Sequence, residues 1–487
     1  VFNNDLSNGD NPMSLLYLSV AVFPCYANDN DAYVPEMWAN EGLAILEENM
    51  VMARMVYRDF ENEVRNYGDV VNTRRPGTFA IRRKVDGDTL VQQDANATNV
   101  RVPLDQWFYN SFTIKDGEAS LSFQDLVDIY LVPGMQTIAR SVDRAIIGRI
   151  HEYLTGSANR AGKLGGLTST NSHEYVLEAR QILNTNKAPM QGRNLVLSPA
   201  SETSLLQNTM FIKANERGDG GNALENATLG RILGFGTVLD QNVNCVTSGA
   251  DTVAGTITNA AAAGASGSQA CTVTSYEANV GEFATVAGNA QPTYLTAVTA
   301  STNTTAVTMN EANKYATDAL AVLTVYKACN VTADYAQYYT KGIVLSGYTT
   351  GAPVQVGQLL AFGTGSNRRT YTVIESEEND AGTECTVYLD RPLEIAIDGT
   401  PSAALAFPGP YGSFNWAFHR EAIALVSRPL AMPNNALGVL TKVGVHNDVS
   451  MRVSMQYDIN AGGTVVNLDL LCGVAMLDSN LCVPLLG

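Results

Sequence analysis

Residues 35–76 read PEMWANEGLAILEENMVMARMVYRDFENEVRNYGDVVNTRRP, and the change of pattern inside this stretch sets the fold class. Trp38, Leu43, Ile45, Leu46, Met50, Met55 and Phe60 recur mostly every three to five residues, the spacing of an amphipathic helix. The run is expected to be one long helix or two short ones broken at Gly42, closed by Tyr67-Gly68-Asp69. From Val70 the period shifts towards two. VVNTRRPGTFAIRRKV (70–85) and NVRVPLDQWFYNSFTI (99–114) read as two long strands joined by the polar tip DGDTLVQQDANAT. A helix followed at once by a long hairpin points to an α+β chain.

That hairpin concentrates positive charge in a chain whose formal net charge is -17. Arg74, Arg75, Arg82, Arg83, Lys84 and Arg101 all fall on it. A two-stranded ribbon with basic flanks and little apolar alternation does not support itself in water. It calls for a partner surface, and a neighbouring copy of the chain is the expected one. The alternative is a solvated basic hairpin.

Upstream, residues 1–32 are rich in Asn, Asp and Ser around one apolar patch, Ser14 to Ala27. The patch has the length of a signal-peptide core, but no Lys or Arg precedes Arg54, and it is too short to span a bilayer. It reads as part of an N-terminal arm. The cluster Asn28-Asp29-Asn30-Asp31 lacks the glycine and glutamate that a calcium loop requires and reads as a turn.

Downstream, Ser122 to Asp125 has the form of a helix-starting capping box. Ile138, Val142, Ile146, Ile150 and Leu154 mark one face of a long helix over about 135–154, with Pro133 breaking or kinking its start. A second helix is expected over 173–183, then a buried strand at Leu195-Val196-Leu197, then a helix after Ser198-Pro199. From 241 to 404 the composition changes. No Lys or Arg occurs between Arg231 and Lys314, and short alternating runs such as TYLTAVTA, KGIVLSGY and CTVYLD alternate with turn residues. This is an all-β module or pair of modules inserted into a parent domain. TNAAAAGASGSQA (258–270) reads as a loop. The segment 412–487 supplies a short helix and several strands that complete the parent domain.

Chemistry is absent from this pattern. The 4 histidines, His151, His173, His419 and His446, form no metal-binding spacing, and the 7 cysteines form no CxxC pair. There is no nucleophile elbow, phosphate loop or dinucleotide fingerprint. The tripeptide Arg217-Gly-Asp219 reads as a turn. No catalytic residue, metal or cofactor is expected. The acidic balance also disfavours a dedicated nucleic-acid binder, which needs basic surface to displace counterions.

Taken in order, three segments resemble the major capsid proteins of tailed double-stranded DNA bacteriophages. The likeness is to the Hong Kong-phage capsid fold, in the subfamily with an inserted β-barrel domain. The segments are the opening stretch, then NTMFIKANERGDGGNALENATLGRILGFGTVLDQNV (208–243), then NWAFHREAIALVSRPLAMP (415–433) with MRVSMQYD (451–458). Residues 341–374 and 385–394 are similar to the family's inserted barrel.

The resemblance implies an N-terminal arm and helix over 1–69 and an extended loop over 70–114. It implies a peripheral domain with a long spine helix over 115–169 and the first part of an axial domain over 170–240. The inserted β domain would cover 241–404, and 405–487 would return to the parent domains. Residues 1–32 run longer than the family's arm, and 241–335 enlarge the insertion.

The implied function is a shell subunit that assembles with itself into hexamers and pentamers of an icosahedral head. The head encloses double-stranded DNA without sequence-specific binding. A scaffolding protein, a portal and a decoration protein are the implied partners, with no membrane. The virion is the implied location, after assembly in the cytoplasm of a bacterial host. Arg74, Arg75, Arg82, Arg83, Lys84 and Arg101 would make contacts between subunits. Two other readings stand beside this one. An encapsulin-type nanocompartment shell has the same subunit type, and the large insertion argues against it. An extracellular β-rich adhesin would suit the Thr/Ala/Gly-rich centre, and the long helices argue against that.

Overall fold

The computed structural model describes residues 35–58, 70–75, 81, 83–87, 89, 92, 98–115, 127–151, 159–213, 226–246, 251–257, 268–273, 278–301, 304–311, 314–317, 321–339, 341–349, 352–399, 404–432, 439–446, 449–460 and 462–487. The apolar patch 14–27, the Asn/Asp cluster 28–31, Arg82, the capping box 122–125, Arg217-Gly-Asp219 and residues 258–267 lie outside the described residues.

Among the described residues, helices and two sheets form the parent body. Helix α1 (Pro35–Asn49) runs unbroken through Gly42, which packs beneath the side chains of Met451 and Met135. Its apolar residues Trp38, Leu43 and Leu46 are buried. Met50 closes it, and a 3-10 turn, Met52–Arg54, follows. Helix α2 (Val132–His151) starts after one π turn, Val127–Leu131. Pro133 sits in the first turn of the α-helix, directly after the π turn, so the α-helix begins before Pro133 and not after it. Met135, Ile138, Val142, Ile146 and Ile150 form its buried face at spacings of three and four.

The first sheet has five strands. The long central strand β25 (Gly463–Met476) carries β24 (Val449–Asp458) and then β22 (Ile423–Arg428) along one edge, and β23 (Leu440–His446) extends it beyond β24. Its other edge takes β3 (Gln106–Lys115) through ten register pairs, from Gln106 opposite Cys472 to Lys115 opposite Gly463. Helices α1 and α2 cover one face in a shared core with Met451, Val453, Val466, Leu468 and Leu470.

This corrects the long hairpin. Only β1 (Val70–Arg75) and β2 (Thr98–Pro103) pair with each other, so the ribbon spans 70–103 and residues 106–114 belong to the sheet. The reason is alternation. Phe108 and Phe112 pack against the core and Ile114 is buried in it, while Trp107 and Tyr109 face outward, so β3 has one apolar face to bury.

The second sheet has seven strands. Its path is β4 (Ala161–Gly162), β26 (Cys482–Leu486), β21 (Gly412–His419), β5 (Arg193–Leu197), β7 (Phe235–Leu239) and β6 (Arg231–Ile232), with β8 (Cys245–Val246) on the start of β21. Helices α3 (Ser172–Thr185) and α4 (Pro199–Leu206) pack through Val176, Ala179, Leu183 and Leu205 onto Leu195, Leu197 and Leu485. Ser198 caps α4 through its hydroxyl, which accepts from Ser201 N at 3.3 Å. The C-terminal half of α2 shares a core with Val196, Trp416 and Phe418, so this helix is common to both sheets. The short helix expected after 412 is instead a 3-10 turn, Arg420–Ala422, between β21 and β22. Both flanking strands are buried almost throughout, which an amphipathic helix would not be.

Between β8 and β21 lie two closed barrels of six strands each. The first comprises β9 (Thr252–Ile257), β10 (Ser268–Val273), β11 (Phe283–Val286), β12 (Thr293–Ser301), β13 (Thr304–Met309) and β14 (Val322–Tyr326). The second comprises β15 (Cys329–Val331), β16 (Ile343–Ser346), β17 (Leu359–Phe362), β18 (Arg369–Glu378), β19 (Glu384–Leu389) and β20 (Leu405–Pro408). Closure removes free strand edges, which suits strands this short. The barrels also move the expected boundaries. Cys245–Val246 pairs with the parent strand β21, Leu405–Pro408 closes the second barrel, and Ala161–Gly162 joins the second sheet.

Candidate assembly surfaces

The expected contact residues lie on the ribbon. Arg74 stands opposite Asn99 and Arg75 opposite Thr98, while Arg101 stands opposite Asn72. Arg83 and Lys84 are exposed just before the turn at Asp86-Gly87 of the ribbon, and Arg101 is exposed on β2. Beside them Ile81 is 98% exposed and Val85 70% exposed, so the turn presents apolar as well as basic side chains to solvent. The ribbon thus brings Arg74, Arg75 and Arg101 together by register; Arg82 lies outside the described residues.

Sequence reading missed the other surfaces. On the outer face of β3, Trp107 and Tyr109 are exposed, Tyr109 to 72%. Trp107 Nε1 donates to Asp469 Oδ1 at 3.2 Å, and Arg452 Nη2 donates to Asp469 Oδ2 at 2.6 Å. This row crosses three strands and holds Asp469 out of solvent. Leu440 and Val445 are exposed on the edge strand β23. Tyr457 and Ile459 are exposed at the β24–β25 hairpin, Ile459 to 84%. Alternation in β3 separates Trp107 and Tyr109 from Phe108 and Phe112, but Leu440 and Val445 lie on opposite faces of β23 and Tyr457 shares the parity of buried Val453 and Met455, so period two does not flag those.

Partly buried polar contacts tie the helices, the second sheet and the barrels together. Asp143 of α2 accepts from the backbone N–H groups of Val51, Met52 and Ala53 at 2.9, 3.1 and 3.3 Å, tying the end of α1 to α2. Burial, then the neighbouring Asp240 charge, pushes its carboxyl up to about 7, and the three bonds offset this only in part. Burial likewise raises Asp105 to about 6. At the end of α2, His151 packs edge-on against Phe414 and Trp416 and lies within 2.6 Å of Asn244 Nδ2. Burial, reinforced by the Arg391 charge, lowers its imidazole to about 3, so it is a neutral core side chain.

The second barrel docks on α2 at Gly148, where any Cβ would fall 2.5 Å from Asp390 Cβ. Around this contact Arg149 bonds Glu394 at 2.8 Å, and Arg391 bonds both Asp390 and Glu394 at 3.0 Å. The first barrel docks on the second sheet. Arg160 pairs with Glu311, Lys314 bonds Glu178 at 2.7 Å, and Tyr315 Oη donates to Glu178 at 2.9 Å. The barrels meet each other through Phe283, Tyr326, Ala361 and Phe407.

Among the described residues no group of three His, Cys, Asp or Glu side chains could hold a metal ion, and no helix is long and apolar enough to cross a membrane. His419 turns inward to accept from Glu421 N at 3.3 Å. The arrangement offers extended and apolar contact surfaces on a stiff body.

No family model and no curated protein matches the chain. Among solved structures, phage capsids align with the chain. Mycobacterium phage Che8 aligns at 12% identity and TM-score 0.42, covering 89% of this chain and 90% of that one. The capsid structure of the cyanophage P-SCSP1u aligns at 12% identity and TM-score 0.42, covering 90% and 88%. A virus-like particle from Pyrococcus furiosus aligns at 7% identity and TM-score 0.33, covering 93% and 99%.

Proposed function

We propose that this chain is the major capsid protein of a tailed double-stranded DNA phage, a self-assembling shell subunit with no catalytic role. The observation that carries the reading is the ribbon 70–103. It is a two-stranded sheet outside both parent sheets, and it ends in a turn with Ile81 and Val85 almost bare. Such a ribbon gains a fixed position only against another body. In this reading it is the extended loop laid over an adjacent subunit. Helix α2 is the spine, the five-stranded sheet the peripheral domain, the seven-stranded sheet the axial domain, and the barrels the insertion.

A flat subunit with different contact surfaces on several edges makes heterologous contacts, which close into rings and then into a shell. Arg74, Arg75, Arg82, Arg83, Lys84 and Arg101 face acidic surface of the neighbour and fix register more than they add energy. Hexamers and pentamers then build an icosahedral head around DNA, with scaffold, portal and decoration proteins as partners, assembled in the cytoplasm of the host.

Negative-stain electron microscopy of concentrated protein, with the nucleic-acid content of the particles measured, tests this. Closed shells with packaged DNA in native particles are expected. Shells that hold protein cargo and no DNA would place the chain among nanocompartment shells. Monomers that persist with scaffold present would refute assembly altogether.

A further inference from the structure

The two barrels have one topology. Lettering the strands a to f along the chain, β9–β14 in the first and β15–β20 in the second, both rings run a-b-e-d-c-f with every neighbour antiparallel. The registers agree as well. Ala284 lies opposite Thr293 and Val325, as Leu360 lies opposite Tyr371 and Pro408. Thr256 lies opposite Val322 and Thr272, as Asn330 lies opposite Leu405 and Ser346. Thr305 lies opposite Cys271 and Ala300, as Cys385 lies opposite Leu345 and Glu378. Carried around the ring, these equivalences close on themselves.

Irregular features coincide too, and these are harder to obtain by chance. Strand d is bulged between Leu295 and Ala297 in the first barrel and between Val373 and Glu375 in the second. Asn310 Oδ1 accepts from Tyr294 N at 2.9 Å, and Asp390 Oδ1 accepts from Thr372 N at 2.7 Å. Gly281 and Gly357, with φ of +105° and +84°, donate to the equivalent carbonyls of Leu295 and Val373 at 2.8 and 2.7 Å.

Both barrels also dock in one manner. The face at the start of strand c, beside the bulge of strand d, receives an arginine from the preceding body. In the second barrel, Arg144 of α2 lines one cavity with Gly357 and Thr372 and donates to Ile374 O at 3.1 Å. In the first barrel, the Arg368 guanidinium lies 4.3 Å from the Tyr294 ring and 4.4 Å from the Phe283 ring, and donates to Gly281 O. Each barrel then hands on through its c–d loop. Arg368 itself sits on that loop of the second barrel. The same loop of the first barrel reaches the parent, where Gln291 Nε2 donates to Gly162 O at 2.6 Å and Ala290 O accepts from Leu164 N at 3.0 Å.

We infer that the barrels are two copies of one module stacked head to tail between α2 and the seven-stranded sheet. Arg368 is the residue that positions the first copy on the second. Hydrogen-exchange mass spectrometry on the full chain tests the stack joint by joint. Arg368→Leu raises exchange about tenfold in 278–283 and 293–296 and leaves 356–358 and 372–375 unchanged. Arg144→Leu gives the converse pattern. Arg368→Gln, which keeps a donor and removes the charge, opens the same segments to a smaller extent and carries the test if Arg368→Leu does not fold. Exchange that rises at both joints, or at neither, in these variants overturns the inference.

Discussion

Gly148→Ala is the substitution in which two physical effects of opposite sign meet most directly. In an exposed helix interior the change from glycine to alanine stabilises by about 1 kcal/mol. In α2 the added Cβ would lie 2.5 Å from Asp390 Cβ, 2.8 Å from its Cγ and 3.0 Å from its Oδ2. Ordinary carbon–carbon contact is about 3.5–4.0 Å, so Asp390 must retreat by about 1 Å. It has little freedom to do so, because it is buried, accepts from Thr372 N and pairs with Arg391. Overpacking of this kind costs about 1–3 kcal/mol, and weakening a buried charged hydrogen bond adds about 1.5–3 kcal/mol. After the helix gain, a net loss of about 1.5–5 kcal/mol is expected.

Gly134→Ala in the same helix is the control. The nearest atoms there are Asn110 Nδ2 at 3.2 Å and Leu468 Cδ1 at 3.4 Å, both at the ends of side chains, so the change should be neutral to about 1 kcal/mol stabilising. Urea unfolding followed by tryptophan fluorescence suits the comparison, since Trp38, Trp107 and Trp416 all lie outside the barrels. A lower midpoint for Gly148→Ala alone is expected. Midpoints that move together, or a rise for both, would refute the claim that the second barrel is locked to α2 at this residue.

The raised carboxyl of Asp143 makes stability depend on pH. Its folded-state value of about 7 lies above its ordinary 3.8, so the folded chain binds more protons across that window. Stability is full in acid and is lost as pH rises through about 7, by up to about 4 kcal/mol. Asp143→Asn should flatten the fall in unfolding midpoint between pH 5 and pH 8, and an unchanged slope would assign it elsewhere. On the ribbon, Arg82→Glu with Arg83→Glu should leave the monomer folded and abolish closed shells by electron microscopy; normal shells would remove these residues from the interface. Ile81→Asp with Val85→Asp should shift the unfolding midpoint by less than about 0.5 kcal/mol, because both side chains are exposed. The same pair should reduce shell yield in sedimentation.

What was legible in the sequence was what short-range pattern encodes. Helix α2, helix α3 and the start of α4 after Ser198-Pro199 follow from patterns within a few residues. The alternating runs of the insertion became barrel strands for the same reason. What was not legible depends on partners far along the chain. β3 was read with β1 because they are near in sequence, yet its partner is β25, more than 350 residues away by the register of Gln106 and Cys472. The stretch around His419-Arg-Glu421 looked helical because three polar residues interrupt two apolar runs, and only burial of both runs on both faces identifies strands. The doubled barrel is hidden because its interior accepts many apolar side chains, Ala284 against Leu360 or Leu323 against Ala406, while register, the bulge of strand d and the glycine before strand c are held. The ribbon's basic residues were visible as charge. The apolar residues on β3, β23 and the β24–β25 hairpin acquire meaning only once the sheet exists.

In both barrels the first and last strands are hydrogen-bonded neighbours, Val253 beside Val325 in one and Cys329 beside Ala406 in the other. The strands that flank the insertion are paired as well, Val246 beside Gly412. Chain therefore leaves and rejoins nearly one point three times, once at the host and once in each of the two barrels that follow one another inside the insertion. A module with this property can be spliced into a loop without stretching its host, and can be copied in place without disturbing what already folds. The lineage of this protein could thus lengthen by whole barrels, while the geometry of the body that carries them stayed constant.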